Sequence, residues 1–518
     1  MKKISSIILI ILGLGACSLV PPNNDVKKFN FLELSINNVH TAIRNDEISC
    51  QQLISRYVKR IKHYDESSKL NAIVYLNPHA VHEAMRLDKK YYKNNKMKKL
   101  HCIPVILKDN FDTADMPTEA GAIALKGSIP PDDAFMVKKL KSEDAIIVAK
   151  SNMGEWAFSP YNTISSTHGE TRNAYDLDRV PAGSSGGTAS AVAANFGIIG
   201  MGTDTGNSIR GPASHLSLVG IRSTIGATSR DGIVPLLLNR DIGGPLMRTV
   251  TDTAIVYSII AGQDPADPIT HKGKGKVQPD YKPYLKKDGL KGTRLGLIRQ
   301  LYESENSDPE VLTLMDKAVE DLKKAGAIII DPFEVKDFEK LSKATGFCSR
   351  FPFDLNNYLT TLGDNSPLKS FDQMIEGKLY RKENQGPMNW AKNGVDDPEL
   401  QEPPCTDVDK DPRRANFLKA IVEAMNNQNV NAIIYPSWSN PPRLVGDLKS
   451  PHGNNSPKIA PHTGQPAITV PMGFTKSGLP TGLQFLARPF DEHLLFKMAY
   501  AYEQATKHRT TPSGFGSL

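Results

Sequence analysis

The stretch from Gly183 to Arg210 constrains this chain more than any other. It reads Gly183-Ser184-Ser185-Gly186-Gly187-Thr188, then an alanine-rich run, then Gly202-Thr203-Asp204-Thr205-Gly206-Asn207-Ser208-Ile209-Arg210. Two Ser-Gly clusters therefore flank a small-residue helix and a short apolar strand. Glycines beside serines permit tight turns and a close approach of backbone to substrate. Such turns can also aim several N–H groups at one point, which is what an oxyanion requires.

A second stretch, Cys102-Ile103-Pro104-Val105-Ile106-Leu107-Lys108-Asp109-Asn110, reads as a buried strand with a lysine at its end. Lysine is rarely buried without a purpose. Alone, Lys108 would read as a strand-end side chain snorkelling to water. Beside the Ser-Gly clusters it becomes a candidate base. The surrounding pattern predicts helices over 31–44, 49–63 (with Ser49 and Gln52 as a capping box), 80–99 and 134–142, and strands over 71–76 and 145–150. Alternating helices and strands imply a wound α/β sheet. The polar segment 152–178, with Trp156, Tyr161, His168 and Asn173, is long enough to shape a pocket.

Further along, a helix is expected over 254–260 and a connector over 263–283. A βαβ unit is expected from strands 295–298 and 327–330 around a helix 309–325. Residues 334–412 read as helix and loop, and Phe351, Phe353, Tyr358 and Trp390 there are candidates to line a funnel. Strands over 433–436, 468–471 and 483–486 and a closing helix over 491–506 complete the pattern.

Composition excludes more than it identifies. A net charge of +7 on 518 residues reads as a mildly basic surface, and no nucleic-acid partner is expected. The lysines near 89–99 read as solvated surface. The chain has no P-loop, no H-E-x-x-H helix and no C-x-x-C pair, and the i, i+3 histidines His79 and His82 lack further ligands. No metal or organic cofactor is expected.

The N-terminus reads as a targeting segment. Lys2 and Lys3 precede an apolar run, Ile4 to Leu14, that is too short to span a bilayer. Leu14-Gly15-Ala16-Cys17 resembles the bacterial lipobox. The expected organisation is a signal peptide over 1–16, a lipidated Cys17 with a tether over 17–30, and one domain over 31–518 with a variable region around 265–412. By the same resemblance, Ser18 after the cysteine favours the outer membrane, facing the periplasm. The other cysteines, Cys50, Cys102, Cys348 and Cys405, are an even number that permits disulfides but also suits buried thiols.

Taken together, Pro104 to Asn110, Gly183 to Gly187 and Gly202 to Arg210 resemble the amidase signature family. The likeness continues through Thr171-Arg172-Asn173, Gly244-Pro245-Leu246 and Gly464 to Pro471, and thins between about 265 and 412. It implies a three-layer α/β/α fold with a large mixed, mostly parallel sheet. It implies amide hydrolysis through an acyl-serine, with Ser208 as nucleophile and Ser184, after a cis peptide, relaying the proton to Lys108. The oxyanion would rest on the N–H groups of Thr205, Gly206, Asn207 and Ser208, with Ser185, Asp204 and Arg210 in support. Lys108 must be neutral to act, and burial would depress its pKa. Three positions depart from the family pattern: Cys102, Asn207 and Ser223. Asn207 stands where the family usually has glycine, and it brings a polar side chain towards the acyl site.

The expected partner is a small-molecule or peptide amide. Glu155-Trp156-Ala157-Phe158 resembles stand-alone amidases, including those acting on peptide C-terminal amides. The family's tRNA-linked ammonia-supplying member is cytoplasmic, and a lipobox argues against that role. Esters could be cleaved by the same acyl-enzyme, and a non-catalytic lipoprotein on this fold is the alternative from another class. Within the same stretch, Gly183-Ser184-Ser185-Gly186-Gly187 also fits the G-x-S-x-G elbow, with Ser185 as nucleophile. That elbow must follow a buried strand, whereas 175–181 is polar and turn-rich.

Overall fold

A computed structural model describes residues 30–364, 366–394 and 397–518; the expected signal peptide and Cys17 lie outside them. Eleven strands form one sheet: β1 (Ile73–Leu76), β2 (Pro104–Lys108), β3 (Ile146–Ser151), β6 (Ile199–Thr203), β7 (Val219–Arg222), β8 (Gly243–Met247), β9 (Arg294–Leu297), β10 (Ile328–Ile330), β11 (Ala432–Pro436), β12 (Ala467–Phe474) and β13 (Pro480–Leu486). A small ribbon, β4 (Ile164–Ser165) and β5 (Gly169–Glu170), stands apart. The order in the large sheet is β1-β3-β2-β6-β8-β7-β12-β13-β11-β9-β10.

The helices are α1 (Ile36–Arg44), α2 (Cys50–Tyr64), α3 (Ala80–Asn94), α4 (Phe135–Ser142), α5 (Gly186–Ala193), α6 (Arg210–His215), α7 (Val250–Ile260) and α8 (Pro309–Lys324) in the first part of the chain. α9 (Phe338–Ala344), α10 (Phe351–Thr361), α11 (Phe371–Glu376), α12 (Gln385–Lys392), α13 (Pro412–Asn427), α14 (Ala460–Thr463) and α15 (Glu492–Thr506) follow. Every residue of the central strands β2, β3, β6, β7, β8, β11 and β13 is buried. Side chains alternate between faces, so both faces of the sheet are covered. This is the α/β/α arrangement expected.

The balance within the sheet differs from the expectation of mostly parallel pairing. Parallel pairs, β2 with β3 and β6 and β9 with β10 and β11, lie towards the two ends. The centre, from β6 through β8, β7, β12 and β13 to β11, is antiparallel throughout. β7 and β8 were not read from the sequence. Val219–Arg222 is only four residues, and Gly243–Met247 opens on two glycines and a proline, so neither carries a strand pattern.

Local chemistry sets the element ends. Ser35 accepts from Asn38 N, while the Asn38 side chain accepts from Ser35 N, so α1 starts at Ile36 rather than at 31. Ser49 and Gln52 form the expected box at α2. Asn95, at φ 49°, ends α3 five residues before the expected 99. The βαβ unit of β9, α8 and β10 forms as read. One core packs α1 to α5 on β1, β2, β3 and β6; a second packs α8, α13 and α15 on β9, β11, β12 and β13. The four described cysteines, whose state the sequence left open, form two disulfides, Cys50–Cys102 and Cys348–Cys405.

Candidate active site

Three segments converge at one place. Lys108 ends β2. The turn before α5 carries Ser184, and the Gly183–Ser184 peptide is cis. The loop from β6 into α6 carries Ser208. β2 and β6 are parallel neighbours, with Leu107 opposite Met201, which puts the ends of both strands side by side. α5 lies against both strands and holds the Ser184 turn over them.

Lys108 is fully buried. Its Nζ donates to Ser184 Oγ at 2.8 Å and to Thr203 Oγ1 at 2.6 Å. Burial pushes its pKa down to about 7, against the opposing pull of the Asp241 and Asp204 carboxylates. Asn110 Nδ2 also donates to Thr203 Oγ1, at 3.1 Å. Residues 108 and 110 share a side of the chain, whereas Asp109 faces the other way. There it lies 3.8 Å from the buried Lys150 and accepts from Gly121 N.

Ser208 is 5% exposed and faces a cleft of about 740 Å³; Ser184 is sealed behind it. Among the described residues, no hydrogen bond joins Ser208 Oγ to a neighbour, and the N–H groups of Thr205, Gly206, Asn207 and Ser208 donate to no protein acceptor. Four consecutive donors at the floor of the cleft are therefore free to meet an incoming oxygen. Ser185 differs: it is fully buried, and its hydroxyl donates to Thr203 O at 3.2 Å.

The Ser208 loop is held by buried charge. Asp204 accepts from Arg210 Nε at 3.0 Å and from Arg222 at 3.1 Å. Burial alone would raise the Asp204 pKa, but the two guanidiniums outweigh it and hold the carboxyl below its ordinary range. Arg210 also donates to Gly206 O and Ser456 O, each at 2.7 Å. The Asn207 side chain, expected beside the acyl site, lines the cleft but turns its Nδ2 to Gly183 O at 3.3 Å and Pro160 O at 3.5 Å. It thereby bridges the loops of Ser208 and Ser184. Thr205 Oγ1 donates to Asp241, which accepts from Leu236 N and Leu237 N on the cleft wall.

Two glycines of the serine turn leave no room for a side chain. A Cβ at Gly183 would lie 2.1 Å from Asn162 O, and one at Gly187 2.1 Å from Asn152 O. Gly154 N donates to Ser184 O, and Gly183 N to Pro160 O, each at 3.0 Å, so the 152–178 loop grips this turn.

The same loop supplies Phe158, Pro160 and Tyr161 to the cleft. Opposite stand Phe347 and Trp390. Of the four aromatics proposed from sequence, only Trp390 lines it. Phe351 is core, Phe353 faces another pocket beside Arg350, and the buried Tyr358 donates to Asp112 at 2.8 Å. Phe347 was missed. It lies over the buried Arg240 guanidinium at 4.5 Å, one residue before the Cys348–Cys405 bridge. Thr203, Asn110 and Asp241 were missed as well. Thr203 and Asn110 stand inside the motifs, and the two-residue step from Lys108 to Asn110 was the readable signal. Nothing local marks Asp241.

Comparison with known proteins identifies the family and the fold. The amidase family model matches residues 52–496. A probable amidase of Arabidopsis thaliana is 31% identical, covering 97% of this chain and 95% of that protein. One chain of the glutamyl-tRNA(Gln) amidotransferase of Fusobacterium nucleatum is 32% identical over 92% of this chain and 97% of its own. The solved peptide amidase of Stenotrophomonas maltophilia superposes with a TM-score of 0.83, at 32% identity, covering 94% of this chain and 99% of that one.

Proposed function

Because this chain belongs to the amidase family, and is an amidase that works through a serine nucleophile, we propose that Ser208 is that serine and that Ser184 and Lys108 are its proton relay. The single observation that carries the assignment is the Lys108–Ser184 contact buried behind a cleft-facing Ser208. A neutral Lys108 keeps an N–H on Thr203, and its lone pair can take the Ser184 proton. Ser184 Oγ in turn takes the proton of Ser208 as that oxygen attacks the amide carbonyl. The oxyanion is met by the free N–H groups of 205–208. The relay then runs backwards to protonate the leaving amine. Water, activated by the same relay, releases the carboxylate and restores Ser208.

The substrate we infer is an amide with a sizeable, largely apolar acyl part, such as a peptide C-terminal amide. The cleft's aromatic lining supports this: Phe158, Tyr161, Phe347 and Trp390 surround it, and among the described residues Lys343 and Lys458 are its charged side chains, with no carboxylate. Labelling with a fluorophosphonate, read by intact mass, tests the assignment. One adduct is expected, lost in Ser208→Ala and retained in Ser185→Ala. An adduct lost only in Ser185→Ala would overturn it in favour of the elbow reading.

We also propose that Cys17 is lipidated and holds the domain at the bacterial cell envelope. The n-region, the short apolar run and the residues before Cys17 support this. Among the described residues no helix is long and apolar enough to cross a membrane. The mass of the mature N-terminal peptide tests it. A diacylglyceryl-cysteine at position 17 is expected, and an unmodified Cys17 would sink the proposal.

A further inference from the structure

The basic charge of this chain is concentrated in one segment. Residues 44–99 hold 13 Lys and Arg against 6 Asp and Glu, while the whole chain holds 63 against 56. The other 462 residues therefore balance, 50 against 50. The segment is mainly α2 and α3, which pack on each other and on β3, so their outer faces look away from the sheet on the same side.

Those outer faces are cationic. On α3, Arg86, Lys89 and Lys93 are exposed at helical spacing, and Lys96 follows just beyond the helix. Arg56, Lys59 and Lys62 do the same on α2. The nearby acids offset part of this. Asp88 is occupied capping α2, accepting from Cys50 N and Gln51 N. Asp65 is buried and accepts from Ala72 N and Ile73 N. Glu83 is half-buried in the first turn of α3. Asp46, Glu47 and Glu66 sit in the turns at the helix ends. Among the cations stand Tyr92, 67% exposed, and Met85, 38% exposed. Apolar and aromatic tips in a cationic face suit a headgroup layer, where the charges meet phosphate and the tips enter the acyl boundary.

The chain also arrives at this face. Phe31 packs edge-on against Tyr57 of α2 at 6.4 Å, and the Arg56 guanidinium lies 4.4 Å over its ring. The segment between Cys17 and Asn30 can span about 45 Å when extended, so it joins the domain beside the basic layer. We propose that the α2–α3 face docks on an anionic phospholipid surface. The position of the tether rests on the proposed lipidation; the surface itself does not, and it is tested without the lipid.

The test is co-sedimentation of the chain begun at residue 18, which keeps every described residue. The probes are phosphatidylglycerol–phosphatidylethanolamine vesicles and pure phosphatidylcholine vesicles, at low and high salt. Binding to the anionic vesicles alone, released by salt, is expected. Arg86→Gln, Lys89→Gln, Lys93→Gln and Lys96→Gln together should weaken it about 100-fold. A control of Lys317→Gln, Lys323→Gln and Lys324→Gln, on exposed positions of α8, should leave it within about twofold. Both variants should turn over a soluble amide at the wild-type rate, which shows that each is folded. Equal loss in the two variants, no preference for anionic vesicles, or tighter binding to a nucleic-acid duplex would each overturn the proposal. An unmodified Cys17 in the mature protein would not.

Discussion

The loop that carries Ser208 and the segment that carries Phe347 face each other across one cleft, yet they are held by different means. Around Ser208 the contacts are short, buried and polar: Asp204 between two arginines, and Lys108 on Ser184 and Thr203. Phe347 is 40% exposed and rides on a segment of short helices tied by Cys348–Cys405. Arg240 anchors that segment through Thr345 O and Gly346 O, at 2.9 and 3.0 Å. The first region fixes atoms for chemistry. The second fixes a wall for recognition. Substitutions in the first should therefore act on kcat, and those in the second on KM.

The sharpest test of that division is Ser208→Ala, which should lower kcat by at least about 10⁴-fold while substrate still binds. Binding lost along with turnover would break the comparison. Lys108→Met should lower kcat by about 10³-fold. It should also raise Tm near neutral pH, because the buried ammonium is a cost in the folded state. Lys108 has its pKa depressed from 10.5 to about 7. The unfolded chain thus binds the extra proton between those values, and the stability owed to this site rises with pH across that window. Activity should likewise rise with pH through about 7 as Lys108 loses its proton, in a kcat/KM profile whose acid limb vanishes in Lys108→Met.

The wall should respond more mildly. Replacing Cys348 and Cys405 together with serine frees the Phe347 segment, and KM should rise about tenfold with kcat within about threefold. A kcat loss as large as that of Lys108→Met would show that the wall also sets the chemistry. Smallest of all, Trp390→Ala should raise KM for an aromatic acyl amide about threefold and leave a small acyl amide unchanged.

The floor was legible in the sequence because its chemistry sits in three contiguous motifs, each beside an element the pattern also marks. Lys108 ends an apolar run, and Ser184 and Ser208 sit in glycine-rich turns on either side of α5 and β6. The wall was not. Phe347, Arg240 and Cys405 are joined only by tertiary packing, and no period or spacing links them. Two strands at the centre of the sheet, β7 and β8, were illegible for a related reason. Strands as short as β7 gain their pairing from neighbours distant in the chain, such as β12. Disulfide pairing likewise needed coordinates, since Cys50 and Cys102 are 52 residues apart.

The two glycines without clearance have a consequence for how such a chain can change. Any side chain at Gly183 or Gly187 must push backbone rather than a mobile neighbour. No single substitution there has a graded intermediate, and the Ser184 turn is closed to gradual variation. The cleft-lining positions around Phe347 have no such barrier, so a library diversified at Ser342, Lys343, Gly346, Phe347 and Trp390, and sparing the buried Thr345 and Met388, should keep folding while its substrate range drifts. New activities on this scaffold would then be reached by rewriting the rim, with the reaction inherited unchanged.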